Sequence, residues 1–274
     1  ATVVIPVQNG VEASELLAAA LGESNVLEGL GRVLVEQVAP GHIRHTAVTP
    51  IIEFGRRAGA PEQSAAYAQI PRFAAALRSA GLVAQLPDDM GVAQWEKFLF
   101  IEPIGAVGAA ARVSFGVVRS VPASRALIDA ALHEVRDVGR AVGVKWPADA
   151  IDRVWARYDS LPADGSTSRQ RDLMAGRPSE FEAQTGAVVR IGRAHGVPTP
   201  VHDMLYAVLL PTAQRAKAAP SNCSGALHRA AAHAAGARSA RRGRVCEQQS
   251  VVQARIATRL DRCDELRADS DRER

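Results

Sequence analysis

The stretch from Val92 to Ala111 constrains this chain most, because it carries apolar residues on nearly every side of a helix. Such a helix is stable only where other elements cover all of its faces. Asp88 or Asp89 supplies an N-cap that accepts backbone N–H bonds. Pro103 lies inside the stretch, and a kink is expected there because proline removes one N–H and crowds the carbonyl four residues earlier.

The residues that follow keep a helical period and supply the cover. A second helix opens at Pro122, places Ile128, Ala131, Leu132, Val135, Val138 and Val142 at helical spacing, and stops at Gly143. A third opens at Pro147 and is expected to bury Ile151, Val154, Trp155 and Tyr158. Thr167 with Gln170 forms a capping-box pattern for a short helix ending at Gly176, and Ser179 with Glu182 forms another for a helix running to His195. Pro200 opens a last helix through Leu210.

Upstream of Asp88 the pattern alternates instead. Residues 2–7 form a β-branched run ending in the turn former Gln8-Asn9-Gly10, and Val11 to Leu21 carries helix formers before Gly22. Val33–Val38 and His42–Thr46 flank Pro40-Gly41 as a hairpin. Ile51–Phe54 reads as a strand, Glu62–Ala80 as a helix closed by Gly81, and Leu82–Leu86 as a further strand. This is half of an α/β domain. The chain therefore divides into 1–87 (α/β), 88–214 (all-α) and a tail, 215–274.

The tail differs from the rest. It holds thirteen Lys and Arg against seven Asp and Glu, whereas the first 214 residues hold twenty against twenty-two. It has no Phe, Trp or Tyr and contains all three cysteines, Cys223, Cys246 and Cys263, at spacings that fit no zinc site. A basic arm for nucleic acid is one reading. Without aromatics to stack bases or build a core, an unstructured or loosely helical extension is expected instead, and nucleic acid is not an expected partner. No apolar run reaches the length of a membrane span and nothing at the start resembles a signal segment, so a cytoplasmic protein without a membrane partner is expected. The chain begins at Ala1 without an initiator Met and is read as processed or as starting inside a longer protein.

Lys97 is the most informative candidate for chemistry. On a helix its neighbours are Ala93, Gln94, Phe100, Ile101 and Ile104, a set that desolvates an ammonium, lowers its pKa and suits it to donating a proton. A lysine that lays its methylenes over apolar neighbours and reaches water with its head fits the same pattern. Glu180 sits just inside the helix expected from Ser179, where the macrodipole favours an anion, and this is also ordinary for a carboxylate. Ser168 and Arg169 lie at another helix start and either bind a carboxylate or merely cap. Asn9 occupies the turn after a strand, the edge where α/β sheets bind ligands, or is a plain Asn-Gly turn. Gly29-Leu30-Gly31 leads into strand sequence and is no dinucleotide fingerprint; a P-loop, an HExxH metal motif and a GxSxG elbow are absent too, and no metal is expected.

Five ordered segments together resemble the ketopantoate reductase (2-dehydropantoate 2-reductase) family over about residues 1–211. They are Val7-Gln8-Asn9-Gly10-Val11, Trp95 to Ile101 around Lys97, Ser168 to Leu173, Gly176 to Glu182, and His195 to Pro200. The resemblance implies a Rossmann-type domain, of which 1–87 is a remnant, followed by a helical 6-phosphogluconate-dehydrogenase-like domain, with the active site in the cleft between them. It implies NADP as cofactor and a small 2-oxo acid as substrate. On that resemblance Lys97 is the proton donor and Glu180 its acidic partner beside the cofactor. Asn9 meets cofactor and substrate, and Ser168 holds the substrate carboxylate.

Two departures follow from the same comparison. The pantoate enzymes carry substrate-binding asparagines one and two turns after the lysine, where this chain has Ile101 and Gly105. Loss of a matched polar contact discriminates between substrates, so 2-dehydropantoate or a related 2-oxo acid is expected. The family's glycine fingerprint belongs upstream of Gln8-Asn9-Gly10, and this chain does not contain it. The chain alone is therefore expected to hold NADPH weakly and to expose a strand edge. An inactive fragment that forms a homodimer or binds a small acid is the alternative outcome.

Overall fold

The computed structural model describes residues 2–39, 41–45, 49–62 and 64–218. Packing gathers Ala1–Ala219 into one unit and Pro220–Arg274 into another. The second unit, with the three cysteines and most of the basic tail, lies outside the described residues, and so do the expectations made for it.

The N-terminal part is mixed α/β. In chain order it contains α1 (Ala13–Leu21), β1 (Glu28–Arg32), β2 (Val35–Ala39), β3 (His42–His45), β4 (Ile51–Gly55), α2 (Ile70–Ser79) and β5 (Val83–Gln85). A three-stranded sheet has the order β1-β4-β5, antiparallel between β1 and β4 and parallel between β4 and β5. Helix α2 makes the crossover that a parallel pair requires. Leu27, Phe54, Ala74 and Ala84 are buried together in its core. Strands β2 and β3 form the expected hairpin about Gly41, whose φ of +76° suits a glycine.

Three elements differ from expectation here: β1 (Glu28–Arg32) is a strand where none was expected, and two others change. The run 2–7 makes a single parallel bridge, Val4 to Val26, instead of a strand. Val4 N donates to Asn25 O (2.9 Å) and Leu27 N donates to Val4 O (3.0 Å), after which Pro6 has no N–H with which to extend the ladder. Gly29 on β1 permits this approach, since a Cβ there would fall 2.7 Å from the Pro6 carbonyl oxygen. The helix expected from Glu62 begins only at Ile70, after a short 3₁₀ turn, Tyr67–Gln69. Pro71 explains the late start, because an α-helix continuing through it from residue 67 would press its ring against the Tyr67 carbonyl. Ser64 and Ala66 are instead tied to the Ser24 carbonyl, at 2.9 and 3.1 Å.

The helical part is organised around α3 (Met90–Ala111), fifteen of whose 22 residues are buried. Asp89 caps it by accepting from Val92 N at 3.0 Å. The helix continues through Pro103; the Leu99 carbonyl, which lacks its usual N–H there, and its neighbour on Phe100 receive the Tyr158 hydroxyl at 3.4 and 2.7 Å. Around α3 pack α4 (Phe115–Ser120), α5 (Pro122–Ala141), α6 (Ala150–Ser160), α7 (Ser168–Met174), a π-helical turn (Glu182–Gly186) and α9 (Pro200–Ala218), with α8 (Ala187–Ala194) against α5.

Several expectations are corrected. Val142 lies beyond the last turn of α5 and is 38% exposed. Ile151 and Trp155 are only partly buried; the Trp155 indole donates to Asp129 (2.8 Å) and is covered by the Arg125 guanidinium. The Ser179–Glu182 capping box does not form. Ser179 Oγ is buried without a hydrogen-bond partner among the described residues, and the Glu182 carboxylate is taken by Arg190 and Tyr206, each at 3.3 Å. Helix α9 runs past Leu210 to Ala218, because Ala213 and Ala216 remain on its buried side.

Candidate active site

Lys97 lies in the second turn of α3 and retains 9% of its accessible surface. Among the described residues nothing hydrogen-bonds to its ammonium. Burial first, and then the nearby Arg32 guanidinium, lower its pKa to about 8, against the opposing pull of Glu180 and Glu53. An amine at that value is mostly protonated at neutral pH yet close enough to titration to donate a proton.

Glu180 sits outside any helix, in the irregular segment before the π-helical turn, which corrects the expected helix-start placement. Its carboxylate accepts from Asn9 twice, from the backbone N at 3.1 Å and from Nδ2 at 2.6 Å, and from Gln184 Nε2 at 3.2 Å. Asn9 is therefore more than a turn residue: it joins positions 171 apart in sequence. Its neighbour Gly10 has φ +114°, and a Cβ there would meet the Ala183 carbonyl oxygen at 2.7 Å. Gln94, one turn before Lys97, donates to the Gly10 carbonyl at 2.9 Å. The Asn9-Gly10 turn, the Glu180 segment and the start of α3 thus converge.

Ser168 is the first residue of α7, exposed, and its hydroxyl makes no hydrogen bond among the described residues. Thr167 Oγ1 accepts from Gln170 N (3.2 Å) as a cap should, but the Gln170 side chain turns inward to the Val113 carbonyl (2.7 Å) instead of completing the box. Arg169 also turns inward, where it is 1% exposed and bound to Glu102 and Thr185. It is spent on that contact and is removed from the candidate carboxylate binders. Ile101, one turn after Lys97, is partly buried. At Gly105 a Cβ would fall 2.8 Å from Arg169 Nη2 and 3.0 Å from Thr167 Oγ1, so the volume of a side chain there is already occupied.

Sequence reasoning missed the buried charges behind this site. Glu102 and His202 are fully buried and Arg169 nearly so. Glu102 accepts from His202 Nε2 (2.7 Å), Arg169 Nη1 (3.2 Å) and Thr185 Oγ1 (2.8 Å). Glu134 pairs with His202 Nδ1 (2.6 Å) and caps α9 through Val201 N and His202 N. Burial alone would push His202 down, but the two carboxylates outweigh it and hold the imidazole at about 9; burial would raise Glu102, and His202 with Arg169 hold it well below the usual range. The signal was Glu102 among apolar neighbours in that stretch and a histidine in the last helix, but nothing local pairs them.

A cavity of about 380 Å³ lined by Glu12, Glu28, Arg57, Gln94 and Trp95, among others, does not include Lys97 in its walls. Among the described residues no cluster of His, Cys, Asp and Glu is arranged to hold a metal ion, and no helix is long and apolar enough to cross a membrane.

Comparison with known proteins gives two family matches in order. Residues 1–59 match ketopantoate reductase PanE/ApbA, and residues 89–212 match the ketopantoate reductase PanE/ApbA C-terminal family. A 2-dehydropantoate 2-reductase of Mycobacterium tuberculosis is 31% identical over 208 residues, covering 76% of this chain and 66% of that protein. The PanE/ApbA family ketopantoate reductase of Ralstonia eutropha JMP134 superposes with a TM-score of 0.68 at 26% identity, over 78% of this chain and 68% of that one. The 2-dehydropantoate 2-reductase of Methylococcus capsulatus gives 0.68 at 26%, over 79% and 72%. The chain thus spans about two thirds of the length of these relatives. With both family matches in order and the same fold of α/β part and helical part, the chain belongs to the ketopantoate reductase family.

Proposed function

We propose that, joined to the glycine-rich nucleotide-binding segment that this chain does not contain, the protein reduces the carbonyl of a small 2-oxo acid, 2-dehydropantoate or a related compound, with NADPH as the reductant. The observation that carries this reading is Lys97: a buried ammonium lowered to about 8, beside the hydrogen-bonded Asn9–Glu180 pair. The names of the relatives support the reaction class.

The residues present fit one end of the cofactor. Asn9 gives its N–H groups to Glu180 and leaves Oδ1 without a hydrogen bond among the described residues, an acceptor for the carboxamide of a nicotinamide. Gly29 and Gly31 do not fit the pyrophosphate, because Ile5 and Pro6 fill the space beside Gly29. A bound nicotinamide supplies hydride. Lys97 holds at Nζ the proton that the carbonyl oxygen needs as negative charge develops on it. Glu180 holds Asn9 in place and stabilises the charged lysine. The Ser168 hydroxyl donates to the substrate carboxylate, which orients the carbonyl toward Lys97. Ile101 closes the next turn of α3 with an apolar wall.

The test, made on the chain extended upstream with the family's glycine-fingerprint segment, is turnover of NADPH and NADH with 2-dehydropantoate and a panel of 2-oxo acids of different side chains. The expected result is reduction of at least one of these acids, faster with NADPH. Absence of turnover across the panel with both nucleotides would overturn the reading.

A further inference from the structure

A carboxylate entering this site needs a positive partner, and the nearest ones are committed. Arg169 is buried on Glu102 and Thr185. Arg32 is paired with Glu53. Lys97 serves the carbonyl oxygen. Ser168 by itself offers an anion only a neutral hydroxyl.

One guanidinium beside the same turn of α3 is uncommitted. Arg157, near the end of α6, lies over the face of Phe100 with its Cζ 4.0 Å from the ring centroid. Phe100 follows Lys97 by three residues, so the two occupy neighbouring positions on the helix surface. Arg157 is exposed, and among the described residues its guanidinium makes no hydrogen bond or ion pair. Glu96 is within its electrostatic range but is held by Arg153 at 3.1 Å. Partial burial and then Arg32 lower the pKa of Arg157, and the same Arg32 lowers that of Lys97. Arg32 of β1 therefore acts on both Lys97 of α3 and Arg157 of α6, a gathering of positive charge that an anion relieves. Stacking on the ring leaves the guanidinium edge, with its forked N–H donors, free for a carboxylate.

We propose that Arg157 is an anion-binding residue of the site, pairing through its guanidinium edge with the carboxylate of the substrate above Phe100. The inference rests on the 2-oxo acid reading and deepens it: the site selects acids over neutral carbonyl compounds by charge. Ser168 then orients the carboxylate and Arg157 supplies the affinity.

The test is calorimetric titration of the protein with 3-methyl-2-oxobutanoate and with its neutral methyl ester. The wild type is expected to bind the acid more tightly than the ester by on the order of 10- to 100-fold, as one charge-assisted pair allows. Arg157→Gln is expected to lose that preference while binding the ester unchanged, which also shows that the variant folds; Arg157→Lys keeps part of the preference. If the wild type prefers the acid and Arg157→Gln keeps the full preference, the assignment of Arg157 is overturned and the 2-oxo acid reading stands. If the wild type binds neither compound, both are overturned.

Discussion

Arg169→Met removes one charge from a buried set that balances: Glu102 and Glu134 against Arg169 and His202. Methionine approximates the volume of the arginine stem, so the change is mainly electrostatic. It leaves two buried carboxylates facing one imidazolium and strips Thr185 of its donor at 2.7 Å. Breaking a buried pair from one side costs about 3–5 kcal/mol, a large share of the roughly 5–15 kcal/mol that holds a domain folded. Glu102→Leu is expected to cost a similar amount, since it strands Arg169. The double variant leaves Glu134 and His202 as a balanced pair, and well-packed apolar replacements of a buried ion pair are close to neutral. Most of the loss is therefore recovered, with a coupling of at least about 2 kcal/mol. Urea denaturation of the four proteins, followed by tryptophan fluorescence and circular dichroism, measures this directly. A single-variant cost below about 1 kcal/mol with additive behaviour in the double would refute the reasoning.

Further outcomes follow from the same geometry. His202 is raised from 6.5 to about 9, so its contribution to stability is complete below about pH 6.5 and is lost as pH rises through about 9. Melting curves are expected to fall over that window by on the order of 3 kcal/mol, and His202→Gln, weaker throughout, loses that slope. Gly105→Ala places a methyl 2.8 Å from Arg169 Nη2 and is expected to cost about 1–3 kcal/mol in urea denaturation; an unchanged midpoint would show that the guanidinium yields freely. Ile101→Asn puts a donor and acceptor one turn after Lys97, and its kcat/KM for 2-dehydropantoate is expected to rise relative to that for apolar 2-oxo acids.

How far the sequence could be read depended on the range of the forces involved. Helix α3, its Asp89 cap and the desolvation of Lys97 follow from residues within one or two turns, and these were legible. The hairpin at Gly41 and the β4-α2-β5 unit were legible for the same reason. The Ser179–Glu182 pattern failed because Arg190 and Tyr206 compete for Glu182 from positions the pattern does not include. Helix α4 was missed because long-range backbone bonds hold it, Phe115 N to the Gly165 carbonyl and Gly116 N to the Ala163 carbonyl, at 2.9 and 2.8 Å. Gly105 illustrates the limit at the site: the sequence shows that a side chain is absent, and only the fold shows Arg169 and Thr167 in its place.

The central claim is that Lys97 donates the proton, and in a protein carrying the upstream glycine-fingerprint segment the pH dependence of kcat, without and with Lys97→Ala, tests it most directly. The wild-type rate is expected to fall as pH rises through about 8, where the buried ammonium loses its proton. Lys97→Ala is expected to be slower by roughly 10²–10⁴-fold and to lose that inflection. Full activity in Lys97→Ala, or the same inflection persisting in its profile, would contradict the account.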